Sequence, residues 1–379
     1  MHEFRLPGVI HFGWGAVEKV GEEAARLGRR ALLVTGRTAM KRTGAADRLR
    51  TMLSDAGVET VLFDQVESDP SGTTIDRGGK TAREERCDLV VGLGGGSPMD
   101  AARAIAAMAV LDGSIIDYVR GKPIDRPGLP LINIATTAGT ASEITPFSVV
   151  LDEERKLKVG IRFAHGFSRV AVTDPELTMT MPPALTAATG LDALTHAMES
   201  YISTGATPPS EGLALRAVAL IGENLRSAFA DGTDRAAREG MAMGSMLAGM
   251  AFANSGLGLV HGLVHPIGAR FGQPHGEVCG RLLPHVLRYN ATAVPEKIAA
   301  AGAVLTGRQG ISADETVEAV ASLLRDVQVP AGLGDLGIPD DRVPELARDG
   351  LVAGAVKTNP RAVDEGDACA VLDNARKVQ

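Results

Sequence analysis

Two kinds of apolar pattern divide this 379-residue chain, and the order in which they come restricts the folds open to it. Up to about residue 180, short β-type runs alternate with helical ones, the pattern of a parallel sheet covered by helices. The strand candidates are Ala31 to Thr35, Thr60 to Phe63, Asp88 to Leu93, Leu131 to Ala135 and Val170 to Thr173. Residues 16–28 and 45–57 read as surface helices, each ending in a glycine suited to a left-handed cap. After Met181-Pro182-Pro183 the β-branched runs become rare, and Ala, Leu and Met at helical spacing dominate. The expectation is an α/β domain over residues 1–182, Rossmann-like with a parallel sheet, followed by an all-α domain over residues 183–379.

Residues 240–269 contain no Asp, Glu, Lys or Arg and so invite a test as a membrane span. Seven glycines, Asn254, Ser255, His261, His265 and Pro266 fall inside that stretch, which suits a buried helix pair better than lipid. No export signal opens the chain, and three cysteines without a Cys-x-x-Cys spacing give no disulfide framework, so a reducing cytoplasm fits. With 39 basic and 46 acidic residues the net charge is −7, which gives no reason to expect nucleic acid as a partner.

The sharpest feature of the first half is Asp88 to Arg103, DLVVGLGGGSPMDAAR, where an apolar strand runs into four glycines in five positions and then a helix. Glycines admit a ligand close to the backbone, and the first turn of a helix offers free N–H groups to a phosphate. The form is an anion cradle, although Ser97 replaces the last glycine of a dinucleotide fingerprint. Thr136 to Glu143, TTAGTASE, follows the next strand, at the end where open α/β sheets bind ligands.

Residues 26–50 hold eight Lys or Arg against Asp47 alone, a local +7 around the turn Gly36-Arg37-Thr38. An acid at such a turn takes the ribose 2′-hydroxyl of NAD, whereas a small residue with a nearby Arg accommodates the 2′-phosphate of NADP. Gly36 and Arg37 are of the second kind.

The second half carries a metal-like pattern. Asp192 and His196 are four apart, as are His261 and His265, and His275 follows fourteen after His261. On helices, a spacing of four puts side chains on one face. Histidines and an aspartate on an apolar background need a common partner, and a divalent cation supplies one. Imidazole and carboxylate donors suit iron(II), zinc, manganese or nickel alike. Cys279 reads as a small buried hydrophobe and His285 as a packing or capping residue. His2, His11 and His165 have no acidic or histidine partner at useful spacing.

Glycine-rich turn, threonine loop, Asp-x-x-x-His and His-x-x-x-His with a third His stand here in one order, and together they resemble the iron-containing (group III) alcohol dehydrogenases. The resemblance runs from FRLPGVIHFGWG to NPRAVDEGDACAVLDNA, nearly the whole chain. It implies the dehydroquinate synthase-like fold with a site that takes NAD(P) and one divalent metal, iron(II), zinc or another. Carried over by residue, the metal ligands fall on Asp192, His196, His261 and His275, and a histidine acting near the substrate falls on His265. The pyrophosphate loop is similar to Gly94, Gly95, Gly96, Ser97 and Asp100. The nicotinamide-side threonines are similar to Thr136 and Thr137, and the ribose-binding lysine to Lys158. Members with a turn like Gly36-Arg37 tend to use NADP.

The family usually has Gly where Ala141 stands and often Pro where Ser168 stands, both beside the expected cofactor. The implied reaction is hydride transfer between the nicotinamide and a small alcohol or aldehyde, by a homodimer or larger homo-oligomer. Few aromatics favour a site lined by small and aliphatic groups, hence short-chain substrates. A maleylacetate reductase or another reductase of the superfamily is the nearest alternative, and a non-catalytic nucleotide and metal sensor a more distant one.

Overall fold

The computed structural model describes residues 3–378, so His2 lies outside the described residues. The chain divides into two compact units, one of residues 6–137 and 141–180, the other of residues 181–378 with 3–5 and 138–140.

The first unit is α/β. Its strands are β1 (Val9–Phe12), β2 (Arg30–Gly36), β3 (Glu59–Val66), β4 (Leu89–Gly94), β5 (Leu131–Ala135), β6 (Phe147–Asp152), β7 (Leu157–Arg162) and β8 (Val170–Thr173). Six of them pair in parallel in the order β1-β8-β5-β4-β2-β3, with registers such as Leu33 opposite Val91 and Gly94 opposite Ala135. The helices are α1 (Val20–Leu27), α2 (Ala39–Arg42), α3 (Ala45–Asp55), α4 (Gly72–Glu84), α5 (Gly96–Met108) and α6 (Ile115–Val119).

Successive residues of a strand face opposite sides, and both sides here are covered, which is why the strands read as continuous apolar runs. Leu32, Val34 and Val90 pack with Ile75, Ala102 and Ile105, whereas Ala31, Leu33 and Val91 pack with Val20, Leu49 and Leu53. The strand order reverses at β4, which is flanked by β2 and β5, so Gly94 at its carboxyl end marks the switch point of the sheet.

Three strands escape the sequence pattern. β1 is a four-residue edge strand, and β6 and β7 form a separate antiparallel pair whose alternating burial differs from the continuous apolar runs of the main sheet. Gly28 ends α1 with φ −170°, extended rather than left-handed, and gives way to the Asp88 carboxylate, which accepts the N–H groups of Arg29 and Arg30. Gly57 does take the left-handed form, with φ 76°. His11 has an acidic partner after all: its Nε2 lies 3.1 Å from Glu23 Oε1, a pairing made by β1 lying near α1. Ser168 precedes β8 at the amino-end edge of the sheet and is therefore not beside the Gly94 turn. Ala141 is left-handed, φ 50°, which is the physical reason for a Gly at that place.

The second unit is helical. After β8 the described chain contains only helices and turns: α7 (Pro183–Ile202), α8 (Pro208–Ala230), α9 (Arg235–Ser255), α10 (Leu259–Phe271), α11 (His275–Asn290), α12 (Pro295–Thr306), α13 (Ala313–Asp326), α14 (Val343–Leu351) and α15 (Glu365–Arg376). The charge-free stretch forms α9 and α10, bent by 107° across a break at Gly256 to Gly258. No single described helix is long and apolar enough to cross a membrane, and Leu259, Val260, Leu263 and Val264 are buried in the unit's own core.

Glu143, in the loop after β5, is 2% exposed; one oxygen accepts the Thr173 hydroxyl at 2.9 Å and the other accepts no hydrogen bond. Burial pushes this carboxyl up to about 7, against the opposing pull of its own backbone, Thr173 and Arg103. Between the unfolded value and pH 7 the folded chain keeps a proton that the unfolded chain releases, so stability falls as pH rises through that window. Glu143→Gln is expected to be nearly neutral at pH 5 and to stabilise by about 1–3 kcal/mol at pH 8. Urea melts of both proteins at the two pH values measure this, and an equal effect at both would contradict it.

Candidate metal centre and dinucleotide turn

The metal-type residues converge from three helices of the second unit. α7 is buried almost throughout from Thr186 onward, and its i,i+4 spacing turns Asp192 and His196 the same way. α10 restarts after the bend, with the Leu259 N–H held by Asn359 Oδ1 at 3.1 Å and the Val260 N–H by Glu199 Oε1 at 2.7 Å. These caps place His261 in the first turn of α10. α11 opens on His275, and Gly276 lets it lie against α7: a Cβ there would strike the Ala188 carbonyl and Asp192 Cβ.

One oxygen, Asp192 Oδ1, sits 3.7 Å from His196 Nε2, 3.8 Å from His261 Nε2 and 3.7 Å from His275 Nε2. The residue is 2% exposed, and this oxygen accepts no hydrogen bond. Such separations are too long for hydrogen bonds, which end near about 3.2 Å. They fall inside the roughly 4.2 Å that two ligands of one cation can span at about 2.1 Å each. A buried carboxylate oxygen without a hydrogen bond, ringed by three imidazole nitrogens, therefore fits a shared divalent cation. Burial alone would raise the Asp192 carboxyl, but His196, His275 and His261 outweigh it and hold it well below the usual carboxylate range.

Burial brings His196 down to about 3, so it stands as a neutral imidazole able to donate a lone pair. Burial also lowers His261, yet Cys279, Asp192 and Glu199 outweigh it and keep it well above the ordinary value. A proton held there has to leave when a cation enters. The rings crowd one another: His196 stacks on Phe252 at 4.4 Å and on His261 at 4.6 Å between centroids. His265 lies one turn beyond His261 on α10, half-buried, its ring 5.3 Å from that of His275.

Two residues enlarge the expected set. Cys279, set aside on sequence, groups with Asp192, His261 and His275, its Sγ 3.9 Å from His261 Nε2. Burial pushes its thiol up to about 12, so it keeps its proton and is a weak donor to a metal. Glu199 escaped the sequence reading altogether. It carries a signal all the same, an acid three residues after His196 and seven after Asp192, on the same face of an apolar helix. His285 is a packing residue, bonded through Nε2 to the Ala331 carbonyl at 2.9 Å.

The dinucleotide-type residues gather in the first unit. Gly94 has φ 150°, and a Cβ there would meet Pro98 at 2.8 Å, so the turn into α5 requires glycine. Thr136 donates its N–H to the Gly94 carbonyl at 2.9 Å, Thr137 lies beside Gly95 with Oγ1 buried and unbonded, and Gly36 lies near Pro98. Ser97 Oγ accepts the N–H of Asp69 at 3.3 Å, and the Asp69 carboxylate pairs with Lys158 Nζ at 2.7 Å. Lys158 thus joins the turn through an aspartate that the sequence reading did not single out.

Arg37 is 62% exposed, and its guanidinium contacts the Gln65 carbonyl and Glu67. Asp100 faces elsewhere: its oxygens take the Ser142 hydroxyl at 2.5 Å, the Val149 N–H at 2.8 Å and the Arg103 guanidinium, so it fastens α5 to β6. Most of the basic residues around β2 carry acidic partners, for example Arg30 with Glu59 and Glu85, and Lys41 with Asp64.

The description "Iron-containing alcohol dehydrogenase" matches residues 7–175, and "Fe-containing alcohol dehydrogenase family, C-terminal" matches residues 186–376. The chain belongs to the iron-containing alcohol dehydrogenase family. Within it, the chain is 40% identical over 383 residues to the 1,3-propanediol dehydrogenase of Klebsiella pneumoniae, covering 99% of both chains. It is 34% identical over 381 residues to the NAD-dependent methanol dehydrogenase of Bacillus methanolicus, covering 99% and 100%. The crystal structure of a 1,3-propanediol oxidoreductase superimposes with a TM-score of 0.95 at 40% identity, over 99% of this chain and 100% of that one. This iron-containing alcohol dehydrogenase is thus an alcohol and aldehyde oxidoreductase that uses a divalent metal and a nicotinamide cofactor.

Asp192→Ala is expected to weaken divalent metal binding by at least about a hundredfold, since it removes the oxygen that faces all three imidazoles. Metal content after dialysis measures it, and full retention would contradict the assignment.

Proposed function

We propose that Asp192, His196, His261 and His275 hold iron(II), with zinc as a substitute, and that the turn at Gly94 to Ser97 takes NADP in preference to NAD. The observation that carries this reading is the buried Asp192 Oδ1, which accepts no hydrogen bond and stands at nearly equal distance from three imidazole nitrogens. When bound, the cation supplies the positive charge that polarises a carbonyl or acidifies an alcohol, and the nicotinamide carries the hydride.

The rest belongs to the chain. The three imidazoles and one carboxylate leave a net positive charge at the centre and fix its place on rigid helices. Phe252, stacked on His196, helps keep that side of the centre apolar and dry. His265, half-buried beside His275, passes the hydroxyl proton toward solvent through a ring that can both donate and accept a hydrogen bond. On the cofactor side, Gly95, Gly96 and Ser97 offer backbone N–H groups at the start of α5 to the pyrophosphate. Thr136 and Thr137 border the turn toward the nicotinamide, and Lys158, set by Asp69, reaches the ribose.

NADP follows from Gly36, which leaves no carboxylate against a 2′-phosphate, and from the exposed Arg37 beside it. The substrates are small alcohols and aldehydes. The same reading places the chain in a reducing cytoplasm as a homodimer or larger homo-oligomer, with Cys87, Cys279 and Cys369 as free thiols.

The deciding assay is NADPH oxidation by iron(II)-loaded protein over a panel of short aldehydes with maleylacetate included. Turnover of the aldehydes is expected, and turnover of maleylacetate alone would replace the substrate reading. Gly36→Asp is expected to lower kcat/KM for NADPH by about tenfold or more, a loss of roughly 1.4 kcal/mol, while NADH improves. An unchanged cofactor ratio would remove Gly36 from the argument. His265→Ala should cut turnover by about 10²–10⁴-fold while stoichiometric metal remains, and loss of the metal would instead make His265 a ligand.

A further inference from the structure

Behind the metal centre lies a carboxylate more deeply buried than Asp192, His196, His261 or His275. Glu199, on α7, has a side chain only 1% exposed. Its Oε2 meets His261 Nδ1 at 2.7 Å, and its Oε1 accepts the Val260 N–H at 2.7 Å, in the first turn of α10. Gly258 makes the approach possible, since a Cβ there would meet Glu199 Oε1 at 2.8 Å. An acid this deep is costly unless something uses its charge. The helix N-terminus accounts for one oxygen, and the second is spent wholly on one imidazole.

We propose that Glu199 is the positioning residue of the centre: by accepting a hydrogen bond from His261 Nδ1–H it fixes the tautomer whose Nε2 lone pair faces Asp192 and the cation. The inference rests on the metal reading given above. At 2.7 Å a carboxylate oxygen takes a hydrogen bond from the ring, so the nitrogen facing it is the one that carries the hydrogen. The other nitrogen is then free to bind, turned to within 3.8 Å of Asp192 Oδ1. The charge behind the ring also raises the basicity of that ligand. Glu199 thus ties the His261 ring to the first turn of α10 through one side chain.

An amide cannot serve both contacts at once. Glu199→Gln brings two acceptor demands, from Val260 N–H and from Nδ1–H, to a group with one oxygen. Either the amide N–H₂ donates to Nδ1, which moves the ring proton onto Nε2 and blocks the metal, or it faces the Val260 N–H and leaves the cap broken. Asn359 provides the control. It caps the neighbouring N–H, that of Leu259, and also bonds Asn290 and the Arg361 carbonyl, so Asn359→Ala disturbs the same helix end and its surroundings while leaving the Glu199–His261 contact in place.

The experiment measures cobalt(II) and zinc affinities by chelator competition on the full chain, together with melting of the metal-free proteins. Glu199→Gln is expected to weaken both metals by about 10–100-fold, and Glu199→Asp, which keeps the charge, to recover part of the loss. Asn359→Ala is expected to lower the melting temperature of the metal-free protein with metal affinity within about threefold of the parent, small against the change that losing an outer partner brings. Unchanged affinity in Glu199→Gln would overturn the inference, and so would an equal loss in Asn359→Ala, which would make Glu199 a helix cap only. If Glu199→Gln does not fold, the comparison of Glu199→Asp with Asn359→Ala decides by the same criterion. A parent chain that binds neither metal would contradict the metal reading itself, an outcome distinct from a parent that binds and a Glu199→Gln variant that binds equally well.

Discussion

A carboxylate buried at 2% exposure with one oxygen free of hydrogen bonds is an unstable arrangement unless positive charge reaches it, and the helical unit is organised around meeting that demand. Three helices bring one imidazole each to Asp192 Oδ1 at 3.7–3.8 Å, too far to neutralise it by direct hydrogen bonds. The glycines that let α11 lie on α7 and Glu199 approach α10 serve the same end, since each would otherwise hold a ligand away by the width of a methyl group. A fold that only needed a stable core would fill this volume with Leu and Val, as α7 and α10 do elsewhere.

The α/β unit meets a different requirement, a strand-to-helix turn too close-packed for a side chain. Its sheet order reverses at β4, and there the chain uses Gly94 in a conformation that a side chain rarely adopts. Around it stand the threonines after β5, Gly36 at the end of β2 and the Asp69–Lys158 pair.

Five of the six strands of the main sheet were legible because burial on both faces leaves uninterrupted apolar runs such as LVVGL. β1 was not, being four residues long and lying on the edge, and its His11 pairs with Glu23 across twelve residues of chain that no helical spacing connects. At the metal centre, spacing of four exposed Asp192 with His196 and His261 with His265, since a helix converts that interval into a shared face. His275, at the start of a third helix, came only from chemistry and resemblance, because nothing in spacing says that α11 folds back onto α7. Glu199 shows the opposite limit: its interval was readable, but an acid on a helix is ordinarily a solvated charge, and only its 1% exposure and the 2.7 Å contact with His261 separate it from that. Asp100 looked like a ligand of the cofactor for its place in the motif, yet tertiary contacts with Ser142, Val149 and Arg103 occupy both of its oxygens.

The most direct measurement is an anomalous difference map from crystals of the full chain grown with zinc or cobalt(II). The account predicts one strong peak at about 2.1 Å from Asp192, His196, His261 and His275 together. A map with no density among those four side chains, or with the cation bound by other residues, would contradict it.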